Sequence, residues 1–232
     1  EEYSGTRHNM GFDTINKIGE KYNVKVRSLH LPFGEGYYKF APASLDKKVR
    51  DETFENTKRV IEMMLPCGIE IVVIHGSLAV EPCDRAKRLD YFVDYLKELC
   101  DFCAKFNIKV AVETLKPRCL GNGLSEHLYI MENVKRENIG ICFDSNHLLE
   151  EDNIDFLKTA GKYVITTHLS DFDGIDERHW DPGDGIINWK ELIKTLDDNG
   201  YKGPYVFEIS FYDRERSEEV LKGIIEKWEK LF

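Results

Sequence analysis

Six short apolar runs in this chain each end on a residue whose side chain can hold a metal: VRSLHL near His30, IEIVVIH on His75, IKVAVE on Glu113, IGICFD on Asp144, YVITTH on His168 and PYVFE on Glu208. Short runs rich in Val and Ile read as strands. The stretches between and around them keep helical spacing of apolar residues and predict helices at about 13–22, 46–65, 84–106, 125–136, 153–162, 188–199 and 215–231. Strands alternating with helices of this length build a parallel sheet from βαβ units. When such a sheet closes into a barrel, the C-terminal strand ends converge on one mouth. A His, Asp or Glu recurring at that lip predicts a site for a divalent metal such as Mn, Co, Zn or Mg, and hence a metal enzyme of the α/β class.

Every second strand residue faces the barrel axis. The proposed ligands therefore share their face with Val26, Ser28, Ile71, Val73, Ala111, Gly140, Cys142, Thr166 and Val206, several of them small, as a crowded interior requires. Asn188 before Trp189, with Glu191 three positions on, forms a variant of the capping box, and Ser125 and Asp13 are candidate caps of their own helices. Only six βα units are visible where a closed barrel uses eight. The expectation is one domain over residues 1–232, short at its start by the first one or two strands.

A formal net charge of -10 argues against a broad grip on phosphate backbones, so nucleic acid is not the expected partner and a small, weakly charged substrate fits better. No stretch approaches the ~18 consecutive apolar residues of a membrane span, and EEYSGTRHNM lacks the features of a secretory signal, so a soluble cytoplasmic protein is expected. The six cysteines, Cys67, Cys83, Cys100, Cys103, Cys119 and Cys142, are scattered through a domain with ample apolar residues, which predicts free thiols. Cys100 and Cys103 keep helical spacing with Phe92, Val93, Leu96 and Leu99 and are expected in the core, with no second CxxC to complete a zinc site.

HLPF at 30–33, IHGS at 74–77, VET at 112–114, FDSNH at 143–147, THLSD at 167–171, the HWDPGDG run from His179 to Gly185 and FEIS at 207–210 stand in one order along the chain. That order resembles the xylose isomerase-like TIM barrels, which include sugar isomerases and epimerases, inosose dehydratases and endonuclease IV. The stretch PGDGIINWKELIKTLDDNGYKGPYVFEIS is more similar to the sugar, or sugar phosphate, isomerase and epimerase branch. The resemblance implies one divalent ion held by Glu113, Asp144, His168 and Glu208, with Glu113 and Glu208 moving a proton through a metal-stabilised enediolate of a sugar or polyol. It also implies that His147 binds a substrate oxygen or an additional metal, that His179 lies in the loop crossing the mouth, and that copies pair as homodimers.

His30 and His75, at axis-facing strand ends, can bind substrate, bind a further metal, or serve as hydrogen-bonded core residues. Lys116, Arg118 and Arg178 are either solvated loop charges or contacts for a substrate phosphate or carboxylate. The GDG at 183–185 predicts a turn, and His8 and His127 are expected at the surface. Three other readings stay open: an inosose-type dehydratase, a non-catalytic sugar-binding barrel, and a zinc phosphodiesterase like endonuclease IV. The last resembles nearly the whole set of histidines and carboxylates, but its Asp-x-His pair stands here as Glu177-Arg178-His179, and no basic, aromatic cluster for a duplex is visible.

Overall fold

The computed structural model describes residues 12–33, 40–77, 79–210 and 217–232. Strands and helices alternate in it: α1 (Phe12–Tyr22), β1 (Ser28–His30), α2 (Lys47–Met64), β2 (Ile71–Ile74), α3 (Pro82–Ala104), β3 (Lys109–Glu113), α4 (Leu124–Val134), β4 (Ile139–Asp144), α5 (Asn153–Ala160), β5 (Val164–His168), α6 (Trp189–Asp198) and α7 (Glu218–Lys230). The five strands pair in parallel in sequence order. In a flat sheet, β1 and β5 would lie about 19 Å apart. Instead the rings of His30 and His168, at the ends of those strands, stand with centroids 5.8 Å apart. The sheet is therefore curled into an open half-barrel that points its strand ends at one place.

The sixth run does not form a full strand. It contributes one parallel bridge, Leu169 to Phe207, with the Leu169 amide donating to Val206 and the Glu208 amide to Leu169. The Val206 amide goes to the Thr167 hydroxyl at 3.2 Å rather than to a backbone carbonyl, and Pro204 two residues earlier has no N–H to give. The bridge is enough to set Glu208 beside β5.

Two apolar layers follow from strand alternation. The outward side chains Val72, Ile74, Val110, Val112, Ile141 and Phe143 pack against the helices in the main core. Ile71, Val73, Ala111 and Cys142 form a small cluster inside the curl, with Ile165 against it. Ile165 enters there because the β4–β5 register shifts at Ile141/Cys142. A Cβ on Gly140 would lie 2.7 Å from Ile165 Cγ2, so Gly140 is the space Ile165 fills. Val26, expected in the interior, precedes the first paired residue and packs on the main core instead.

Capping explains where helices begin. Asp46 accepts from Lys48 N, Asp152 from Ile154 N and Asp155 N, and Ser217 from Val220 N. Asn188 accepts from Glu191 N at 3.4 Å while its side-chain Nδ2 donates to Glu191 Oε2 at 3.1 Å, a side-chain variant of the box expected there. Ser125 is not a cap. It sits inside the first turn of α4, Gly123 holds the cap position, and the Leu124 amide is satisfied by Glu151 Oε2 at 2.8 Å. Cys100 and Cys103 are fully buried in the core, and all six cysteines are free. Among the described residues no helix is long and apolar enough to cross a membrane.

Candidate active site

β3 ends on Glu113, which is buried, and its two oxygens are both taken by imidazoles. Oε2 lies 2.8 Å from His30 Nε2 and 2.9 Å from His75 Nε2. Oε1 lies 2.9 Å from His168 Nδ1. His75 falls one residue beyond the end of β2 and still reaches the group. His30 Nδ1 is 2.8 Å from the Leu31 carbonyl, which only accepts, so that nitrogen carries a hydrogen. A neutral His30 would then turn a lone pair on Nε2 toward Glu113 and toward His75 Nε2 at 3.2 Å. The lone pair of His30 Nε2 and Glu113 Oε2 cannot face each other without a proton or a cation nearby, and His75 Nε2 can supply that proton when its ring carries the hydrogen there. Burial works against charge on both rings. The Glu113 carboxylate overrides it for His30, whose pKa is raised, whereas burial prevails at His75 and lowers it.

β4 and β5 complete the centre. Asp144 and His168 are paired residues of the two strands, and Glu208 Oε2 lies 2.9 Å from His168 Nδ1. Donor atoms of Glu113, Asp144, His168 and Glu208 all fall within 4.8 Å of one another. Burial opposes ionisation of Glu113, but His168, His30 and His75 hold it well below the usual carboxylate range. His168 is raised in turn, with Cys142, Glu113 and Glu208 outweighing its burial. Asp144 is the exception. Completely enclosed, it is pushed up to about 7 by burial, which the nearby His147 only partly offsets and which Glu113 and Glu208 reinforce.

Asp144 Oδ1 accepts from the Asn146 amide at 2.7 Å, while Oδ2 accepts no hydrogen bond from the described residues and has His147 Nδ1 at 3.4 Å. A buried carboxylate oxygen without a donor is costly. Three carboxylates and one imidazole around such an oxygen fit a hard divalent cation, which would satisfy Oδ2 and neutralise the cluster. These residues are therefore suited to hold an ion of the Mn, Co, Mg or Zn kind.

A second group lies alongside. Glu177 Oε1 is 3.0 Å from His179 Nε2 and 3.4 Å from His147 Nε2. The Nδ1 atoms of the two rings face carbonyls, His147 that of Thr114 at 2.9 Å and His179 that of Glu208 at 3.0 Å. Both Nε2 lone pairs of neutral rings would again point at a carboxylate. Hydrogen bonds from His147 and His179 hold Glu177 far below its ordinary pKa. His147 rises to about 10, with Asp144 and Glu177 overcoming its burial.

Lys116 and Arg178 do not stand free at the mouth. Lys116 Nζ pairs with Glu177 Oε2 at 2.5 Å, and Arg178 turns to Asp173 at 2.8 Å, with Asp176 at 3.9 Å. The side chain that reaches the histidines is Glu177, its neighbour. The Glu-x-His spacing was the signal, although His179 takes a left-handed backbone conformation, φ 52°, rather than an extended one. His127, expected at the surface, is fully enclosed in α4. Its Nε2 donates to the Gly121 carbonyl at 3.0 Å, and burial lowers its pKa to about 4. His8 lies outside the described residues.

Comparison with known proteins agrees with this architecture. The chain is 28% identical over 221 residues to protein MJ1311 of Methanocaldococcus jannaschii, covering 91% of this chain and 74% of that one. It is 28% identical to the inosose isomerase of Bacillus licheniformis over 166 residues, 67% of this chain and 59% of the relative, so the match spans less than two thirds of that enzyme. Among solved structures, a D-tagatose 3-epimerase-like protein superposes with a TM-score of 0.78 at 26% identity, over 95% of this chain and 84% of the other. The profile of one family, described as xylose isomerase-like TIM barrel, matches residues 6–230, and with nearly the whole chain inside that match, the protein belongs to the xylose isomerase-like TIM barrel family.

Proposed function

We propose that this protein is a divalent-metal-dependent isomerase or epimerase of a sugar or polyol, working by proton transfer through side chains at the mouth of the half-barrel. The observation that carries the reading is the convergence of Glu113, Asp144, His168 and Glu208 within 4.8 Å around a buried Asp144 Oδ2 that accepts no hydrogen bond from the described residues. A divalent ion held there supplies the positive charge against which a carbon acid beside a carbonyl can ionise. The inosose isomerase and D-tagatose 3-epimerase-like relatives support a sugar as substrate. A cytoplasmic setting and pairing of copies belong to the same reading.

The two glutamates are unequal. Glu113 is 1% exposed and bound at both oxygens, whereas 45% of the Glu208 side chain is open and it pairs with His168 through Oε2. Glu208 is thus the carboxylate free to take a proton from substrate on one face. On the other face Glu113 acts with His30 and His75, which contact its Oε2, are more exposed than it is and can pass a proton to or from it. An inosose-type dehydratase would share this first abstraction and then expel a hydroxyl.

A second reading has one specific observation in its favour. His30, His75 and Glu113 form another group of donors within 4.8 Å of one another, and so do His147, Glu177 and His179, which together resemble the three-zinc arrangement of endonuclease IV. Glu177 reaches both rings despite replacing the aspartate of that pattern. Against a DNA substrate stand the net charge of -10 and the engagement of Lys116 and Arg178 with carboxylates. Incubating metal-loaded protein with a panel of ketoses in deuterated water separates the readings. Deuterium at the carbon beside the carbonyl supports proton transfer, loss of water identifies the dehydratase, and incision of abasic DNA with three zincs per chain replaces the sugar reading.

A further inference from the structure

Asp171 is fully buried and belongs to none of the donor groups among the described residues, yet its carboxylate is heavily bonded. Oδ1 accepts from the amides of Phe172 at 3.0 Å and Ile187 at 3.1 Å. Oδ2 accepts from the Gly183 amide at 2.9 Å and the Trp189 indole at 2.8 Å. Its own backbone exchanges two 2.9 Å bonds with Trp180. These donors come from both ends and the middle of the segment between Phe172 and Trp189, so one enclosed anion closes the whole loop. A buried carboxylate is tolerated when donors satisfy it, and here the loop supplies them all. A Cβ at Gly185 would lie 2.3 Å from Asp171 Oδ1 and 2.2 Å from Phe172 O, which explains the glycine in the GDG run. On the outside, Lys227 of α7 pairs with Asp181 at 3.1 Å and Asp184 at 2.6 Å.

The same loop carries Glu177 and His179 to His147. We propose that Asp171 is a positioning residue that holds Glu177 and His179 at the mouth, an arm hung from a buried carboxylate that meets the central residues through the Glu208 carbonyl. The effect on turnover rests on the proposed function; the placement of the arm does not. Asp171→Asn tests it sharply, because the amide would turn its own hydrogens toward one pair of N–H donors and leave them unpaired.

The experiment compares wild type with Asp171→Asn by backbone hydrogen exchange and by the His179 ring resonances in NMR spectra, alongside metal titration and kinetics. The expected result is exchange at least tenfold faster at Gly183 and Ile187, with β3, β4 and β5 unchanged and the His179 signal shifted. One ion should bind with affinity altered less than threefold, and kcat should fall at least tenfold with KM little changed. The Asp171→Asn/His179→Ala double variant should be no slower than His179→Ala alone. If Asp171→Asn does not fold, Trp189→Phe, which removes one of the four donors, should give the same local exchange pattern in weaker form. Unchanged exchange in 172–188, an equal rise throughout the strands, or losses that multiply in the double variant would overturn the proposal. Should wild type exchange no ketose proton, the functional reading falls, while the amide and His179 measurements still decide the role of Asp171.

Discussion

His168 Nδ1 lies 2.9 Å from Glu208 Oε2, a contact that ties the last residue of β5 to a chain segment held beside it by a single parallel bridge. It leaves Glu208 ionised, since His168 outweighs the burial that would otherwise raise its pKa, and leaves much of the carboxylate open. Removing the charge while keeping the shape should therefore stop proton transfer before it stops metal binding. Glu208→Gln is expected to lower kcat for ketose isomerisation by about 10²–10⁴ in metal-saturated enzyme. Turnover within tenfold of wild type would place the base elsewhere.

Asp144 is an enclosed acid whose Oδ2 accepts no hydrogen bond from the described residues, a cost to the metal-free fold that a cation would remove. Asp144→Asn removes that cost but also the charge that faces His147, so it should change the stability of the stripped protein by no more than about 1 kcal/mol and abolish the rise in melting temperature that Mn²⁺ gives wild type. Thermal melts with and without metal check both halves. A metal shift retained in the variant would remove Asp144 from the ligand set.

The raised pKa values of Asp144, about 7, and His147, about 10, fix the sign of a pH effect. Each group binds its proton more tightly folded than unfolded. Its contribution is complete below its ordinary pKa and is lost as pH rises through the folded value. Metal-free protein should lose stability between pH 4 and 7 through Asp144 and between 6.5 and 10 through His147. Metal binding requires Asp144 to give up its proton, so Mn²⁺ affinity should instead weaken as pH falls below about 7. Melting curves and calorimetric titrations at pH 5, 7 and 9 measure both trends. Affinity independent of pH would contradict the assignment.

Cys100, Cys103, Cys119 and Cys142 are buried, Cys67 is partly covered and Cys83 is exposed. Burial also pushes the Cys100, Cys103 and Cys142 thiols up to about 12, which suppresses the reactive thiolate. Native protein should react promptly with a thiol reagent at Cys83, more slowly at Cys67, and at all six only when denatured. Protection of Cys83 would point to a disulfide or a bound metal.

Local patterns made much of this architecture readable. The helices lie within a few residues of their expected bounds because their caps and apolar spacing are local signals, as Asp152 and the Asn188–Glu191 pair illustrate. The strand ends were legible because alternation puts Glu113 and Asp144 on one face. Features that depend on distant partners were not. Ser125 reads as a cap until Glu151, from another loop, takes the Leu124 amide. The sixth strand shrinks to a bridge because the Thr167 hydroxyl claims the Val206 amide. His127 looks like a surface residue until Gly121 and Phe156 enclose it. Arg178 and His179 were the candidates in their triplet, yet Asp173 draws Arg178 off and Glu177 is the neighbour that meets the histidines. α7 shows a related limit, for its apolar stripe is wider than the face it buries, with Ile224 covered and Leu221 and Ile225 half exposed.

The most direct test of the central claim is an anomalous difference map at the manganese edge from crystals grown with Mn²⁺. The account predicts one strong peak within bonding distance of Glu113, Asp144, His168 and Glu208. A peak at some other place in the chain, or none while Mn²⁺ is demonstrably in excess, would contradict it.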